Sequence, residues 1–177
     1  MANEEIKEID KFATEKLLSG MTETETTAPQ AMVFIEHKAF SGTTTLTFTS
    51  SEIIKYEYLK LIVDASASAG YILIRFNYDS GANYQYKEHN LAGNTSSSTG
   101  EVGIDIGNNG NVQGEFLIFR RARNSEHSVC GVMLGDGANL GYLAGGWGSG
   151  NDITSISLVP ESANTTGQAT LYGIKTS

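Results

Sequence analysis

From residue 31 onward, apolar residues recur with a period of two in about eleven short runs separated by Gly, Ser and Asn clusters. Successive side chains of a strand point to opposite faces, so each run offers one face to a core and the other to water. Thr45-Leu46-Thr47-Phe48-Thr49 shows the alternation most plainly. The runs predict strands over 31–38, 43–49, 56–65, 71–78 and 83–88. After a loop over 93–100 come strands over 101–106, 115–121, 128–134, 139–144, 153–159 and 169–174. Short strands with regularly spaced turn signals predict an all-β fold, an antiparallel β-sandwich, and a jelly-roll-like arrangement fits the count.

Residues 1–20 are of a different kind. Asn3 can cap a helix, Glu4 and Glu5 place negative charge on its first turn, and Gly20 offers a left-handed stop. A helix over about 4–18 would gather Ile6, Ile9, Ala13 and Leu17 into one stripe with Phe12 on its flank. So short an amphipathic helix is marginal alone, and its apolar stripe is expected to anchor the chain on a partner surface. Residues 21–30, with four Thr, two Glu and a Pro, read as an extended polar linker. The organisation expected is an anchoring helix (1–20), a linker (21–30) and a β-sandwich domain (31–177).

The 177 residues carry a formal charge of −8. That balance argues against a nucleic-acid partner, which requires clustered Lys and Arg. The one basic cluster, Arg120, Arg121 and Arg123, reads as a solvated strand end. No run approaches the roughly 18 apolar residues of a membrane span, and the N-terminus is acidic rather than basic-then-apolar. The expectation is a soluble product without a signal peptide. The single cysteine, Cys130, has no partner for an internal disulfide, and its apolar neighbours suggest a buried thiol.

Residues that could carry chemistry are scattered. His37, His89 and His127 lack a second ligand at metal spacing, and no nucleophile elbow, zinc helix or phosphate loop occurs. No catalytic residue, metal or cofactor is therefore expected. The richest segment is Arg75 to Tyr84, where Asp79-Ser80-Gly81 signals a hairpin. Asn77, Asp79 and Asn83 could offer oxygens to calcium, but a side-chain-capped turn accounts for them equally well. Tyr78, Tyr84 and Tyr86, with Trp147 from the Gly-rich run 141–150, make a candidate glycan-stacking or surface-contact set. Against that stand strand alternation, which turns half the tyrosines inward, and the commoner role of a loop Trp as a packed lid.

Tyr58-Leu59-Lys60-Leu61-Ile62-Val63, Leu73-Ile74-Arg75-Phe76-Asn77, Asp79-Ser80-Gly81 and Asn83-Tyr84 are followed by Trp147, Asp152-Ile153-Thr154-Ser155-Ile156, Gly167 and the closing Leu171-Tyr172-Gly173-Ile174. This ordered set, spanning 31–175, resembles a β-sandwich domain of tailed-bacteriophage virion proteins. Asn77-Tyr78-Asp79 departs from the Asn-Gly or Asn-Asn-Asp that the pattern would place at the turn. The resemblance implies a non-enzymatic virion structural protein, a tail-fibre or appendage domain, commonly trimeric, with no catalytic residues. Its partners would be tail, baseplate or major capsid proteins, with a host surface glycan as one candidate receptor and the receptor's identity open. A capsid decoration protein that clamps the shell as a trimer is the alternative within that class, and a carbohydrate-binding module is the alternative outside it.

Overall fold

A computed structural model describes residues 32–67, 70–90, 93–108, 111–121, 126–134, 140–161 and 164–175. The chain divides into Met1–Gln30 and Ala31–Ser177. The expected anchoring helix, its stripe Ile6, Ile9, Phe12, Ala13 and Leu17, and the linker all lie outside the described residues.

Among its described residues the second unit is all-β. Its strands are β1 (Met32–Ser41), β2 (Leu46–Phe48), β3 (Tyr58–Ala67), β4 (Tyr71–Phe76), β5 (Tyr84–Asn90), β6 (Thr95–Glu101), β7 (Ile104–Asn108), β8 (Asn111–Phe119), β9 (His127–Leu134), β10 (Leu140–Trp147), β11 (Ile156–Pro160) and β12 (Thr165–Ile174), with one 3-10 turn at Ile53–Lys55. They form an eight-stranded sheet in the order β1-β12-β3-β8-β9-β10-β5-β6 and a four-stranded sheet in the order β2-β11-β4-β7. Every paired ladder is antiparallel. Among the described residues no helix is long and apolar enough to cross a membrane.

The period of two does what strand geometry requires. Along β3, Leu59, Leu61, Val63, Ala65 and Ala67 are buried, while Tyr58, Lys60, Ile62, Asp64 and Ser66 face the other way. One core cluster joins Leu59, Leu61, Phe116 and Ile118 of the large sheet to Phe48, Ile74, Phe76 and Leu158 of the small one. Burying a large apolar side chain contributes about 1.5–3 kcal/mol.

Four expectations are corrected. Residues 95–100, expected within a loop, belong to β6 and pair with β5. The run Thr95-Ser96-Ser97-Ser98-Thr99 has no apolar alternation because it is an edge strand with little to bury. The turn at Asp79 does not close a hairpin, since β4 lies in the small sheet and β5 in the large one. Arg120 is not a solvated strand end but is buried, with Nε donating to the Tyr56 carbonyl at 2.7 Å and Nη1 to Asp152 Oδ2 at 3.1 Å. Cys130 is exposed, because its position on β9 is outward in the alternation.

Candidate functional site

The passage from β4 to β5 is built by side chains rather than by glycine. Asn77 and Tyr78 both have positive φ, at 50° and 59°, and the Asp79 N–H donates to the Phe76 carbonyl at 2.8 Å. Asn tolerates this left-handed conformation because its carboxamide bonds locally. Here Asn77 Oδ1 accepts from the N–H groups of Thr154 (2.7 Å) and Ser155 (3.1 Å), while Nδ2 donates to the Asp152 carbonyl at 2.9 Å. One carboxamide thus fixes the entry to β11. Asp79 is held as tightly: Oδ1 accepts from the Gly81 N–H at 2.8 Å, and Oδ2 accepts from Asn83 Nδ2 at 2.9 Å and Trp147 Nε1 at 2.7 Å. Burial raises the Asp79 carboxyl, but these three donors and the Arg75 charge outweigh it and leave the group below its usual range.

The four aromatic candidates do not share one solvent-facing surface. Tyr84 is 1% exposed and Trp147 is 3% exposed. Their rings stack at 6.4 Å, and His127 stacks on Trp147 at 5.0 Å. The two nitrogens of His127 face the carbonyls of Phe119 (3.2 Å) and Asn151 (2.7 Å). Tyr84 donates to the Asp79 carbonyl at 3.1 Å, and burial pushes its hydroxyl up to about 12. Tyr86 is partly buried, with its hydroxyl raised first by burial, and Tyr78 is 67% exposed. Trp147 therefore packs as a lid, and Asp79 caps a turn with every oxygen engaged. His37 and His89 lie on the large sheet, each bonded through Nδ1 to a threonine hydroxyl at 2.9 Å, those of Thr170 and Thr95. Among the described residues no group of three or more His, Cys, Asp or Glu is arranged to hold a metal.

Two further regions are assembled by the fold from residues distant in sequence. The first is a cleft of about 280 Å³ between the edges of the two sheets, lined by Tyr71, Tyr86, Ser98, Glu101, Asp105 and Glu161 among others. Burial, with the charges of Glu88, Glu161 and Glu101, pushes the Asp105 carboxyl up to about 7 against an opposing hydrogen bond from the Gly107 N–H. Only tertiary structure brings these acids together.

The second is the outer face of the eight-stranded sheet. Its register aligns Phe34, Tyr172, Lys60, Leu117 and Cys130 in one row across β1, β12, β3, β8 and β9. The next row aligns His37, Thr170, Ile62, Glu115, Val132 and Tyr142. Met32, Phe34, Val132, Leu134 and Tyr142 are all exposed on it. At one corner Phe34 meets Tyr172 edge-on at 6.1 Å and Tyr58 meets Phe119 at 5.2 Å. Toward the opposite side lies a hollow of about 950 Å³ whose walls include Ile62, Leu117, Val132, Leu134, Leu140 and Tyr142. Lys60 and Glu115, which also line the hollow, form an ion pair of 2.6 Å. The sequence did hold a signal here, because the run Val129-Cys130-Gly131-Val132-Met133-Leu134 is apolar on both of its faces.

No protein-family profile matches the sequence, and no curated protein matches it. One similar solved structure is a tail fiber protein from an E. coli phage, at 13% identity and a TM-score of 0.32, covering 82% of this chain and 21% of that chain. The chain thus spans about a fifth of the length of that fibre protein, and an overlay of this quality assigns neither a family nor an activity.

Proposed function

We propose that the chain is a non-enzymatic structural protein of a tailed-phage particle, a short tail-fibre or receptor-binding module attached through its N-terminal segment. The observation that carries this reading is the outer face of the eight-stranded sheet. An antiparallel sheet with one wet face normally alternates apolar-in and polar-out. Here Phe34, Leu117, Val132, Leu134 and Tyr142 stand on the outward side, as expected of a surface used in assembly. The strand orders β1-β12-β3-β8 and β2-β11-β4-β7 add support, being those of a jelly roll with two inserted hairpins, β5-β6 and β9-β10. Viral capsid and lectin domains use that architecture. The sequence resemblance to virion β-sandwich domains points the same way. The test is to prepare particles lacking the protein. A fibre module predicts lost adsorption with intact heads, whereas heads that become fragile while adsorption persists would identify a shell-clamping protein instead.

A further inference from the structure

The geometry points to a second copy of this chain as the occupant of the outer face of the eight-stranded sheet, the aromatic corner of each copy seated in the hollow of the other. The proposal rests on reading that face as an assembly surface and does not depend on the particle that contains it.

Three observations commit the face to a copy of itself. First, it holds two complementary features. The corner is built by Met32, Phe34, Tyr58, Phe119, Tyr172 and Ile174, with Phe34 60% exposed. The hollow adjoins it on the same face, displaced along β3 and β8 and continuing across β9 and β10. A twofold axis near Lys60 and Leu117 places each corner opposite the other copy's hollow, the i-to-j and j-to-i pattern of an isologous contact. Second, charge permits it. The chain carries −8, yet the charges lining the hollow are the paired Lys60 and Glu115 and the single carboxylate of Asp64, which accepts from Gln113 Nε2 at 3.3 Å, so little repulsion opposes the meeting of two copies. Third, size permits it. From β1 to β10 the face spans five strand spacings, about 24 Å, and its four rows, from the one holding Met32 and Phe119 to the one holding Leu134 and Leu140, rise over about 20 Å. With side-chain borders that is roughly 600–800 Å² per copy, close to the ~800 Å² that each partner contributes to a standard stable interface. Two sheets packed face to face approach to about 10 Å through interdigitated apolar side chains, which an identical face supplies.

The test is sedimentation velocity of the full chain and two variants, each checked for native circular dichroism. Phe34→Glu alters the corner on an exposed edge strand, and Val132→Lys alters the hollow at an exposed position. Should Val132→Lys fail to fold, Tyr142→Lys, 49% exposed, replaces it. The native chain is expected to sediment as a dimer at micromolar concentration and each variant alone as a monomer. An equimolar mixture of the two is expected to regain the dimer, because one contact is then native and the other pairs Glu with Lys. Three results would overturn the proposal: a native monomer, showing that the face is free or covered by another occupant; an oligomer indifferent to both substitutions, as a trimer formed through sheet edges would be; or a mixture that remains monomeric. None of these would bear on whether the protein resides in a phage particle.

Discussion

Trp147 Nε1 donates to Asp79 Oδ2 at 2.7 Å, joining the end of β10 to the turn after β4 across 68 positions of sequence. The ring is buried against Phe76, Tyr84 and His127, so its N–H has been withdrawn from water and Asp79 is its acceptor. Asp79→Ala leaves that donor unpaired and frees the Gly81 and Asn83 groups. The expected loss is about 1–3 kcal/mol, measured by urea unfolding, with a shift in the emission of the single tryptophan. Because the Asp79 carboxyl is lowered in the folded chain, its contribution is present above the ordinary carboxylate range and fades as the pH falls through the folded value. An unchanged midpoint would contradict this role.

Asn77 and Tyr78 share the left-handed conformation, but only Asn77 is tied to 152–155 by its side chain. Asn77→Ala is expected to cost about 2–3 kcal/mol, through lost hydrogen bonds and an alanine held at positive φ. Tyr78→Gly is expected to be neutral or stabilising by up to about 1 kcal/mol, since glycine adopts that conformation freely and the ring is exposed. Equal losses from the two substitutions would contradict the distinction.

Asp105 gives a pH signature. Its carboxyl titrates near 7 in the folded chain, raised by burial and by Glu88, Glu161 and Glu101, against an ordinary value of 3.8. Between those two values the folded chain holds a proton that the unfolded chain releases, so stability declines as the pH rises through that window and the penalty persists above it. Asp105→Asn should therefore be more stable than the native chain at pH 8, by about 1–2 kcal/mol after allowance for partial solvent exposure, and should lose that advantage below pH 4. Thermal melts at both pH values measure it. A variant no more stable at pH 8 would contradict the prediction.

Gly131 lies opposite Phe116 in the β8–β9 ladder. A Cβ at that position would run into the Phe116 ring and come within 2.8 Å of the Glu115 carbonyl. Gly131→Ala is expected to cost about 1–3 kcal/mol through overpacking, read by chemical denaturation. Stabilisation would show that the ring has room to move.

The fold was legible wherever a strand has one buried face. β3 alternates in sequence as it does in burial and so emerges from the period of two, whereas only 115–119 of β8 did, because Asn111, Gln113 and Gly114 carry no apolar signal. β6 did not, because Thr and Ser carry no hydrophobic signal on an edge strand. Sheet membership was not legible at the Asp79 turn, since hairpins within a sheet and crossings between sheets use the same turn residues. The aromatic candidates divided by alternation and packing: Tyr84 and Trp147 went to the core and Tyr78 to solvent. The outer apolar face escaped notice because it is assembled from six strands distant in sequence, and only the register of their ladders aligns Phe34 with Leu117 or Ile62 with Val132.

Immunogold labelling of intact particles, with an antibody raised against the β-sandwich, tests the central claim most directly. The account predicts gold at the tail or its appendages. Particles that carry no label anywhere would contradict it.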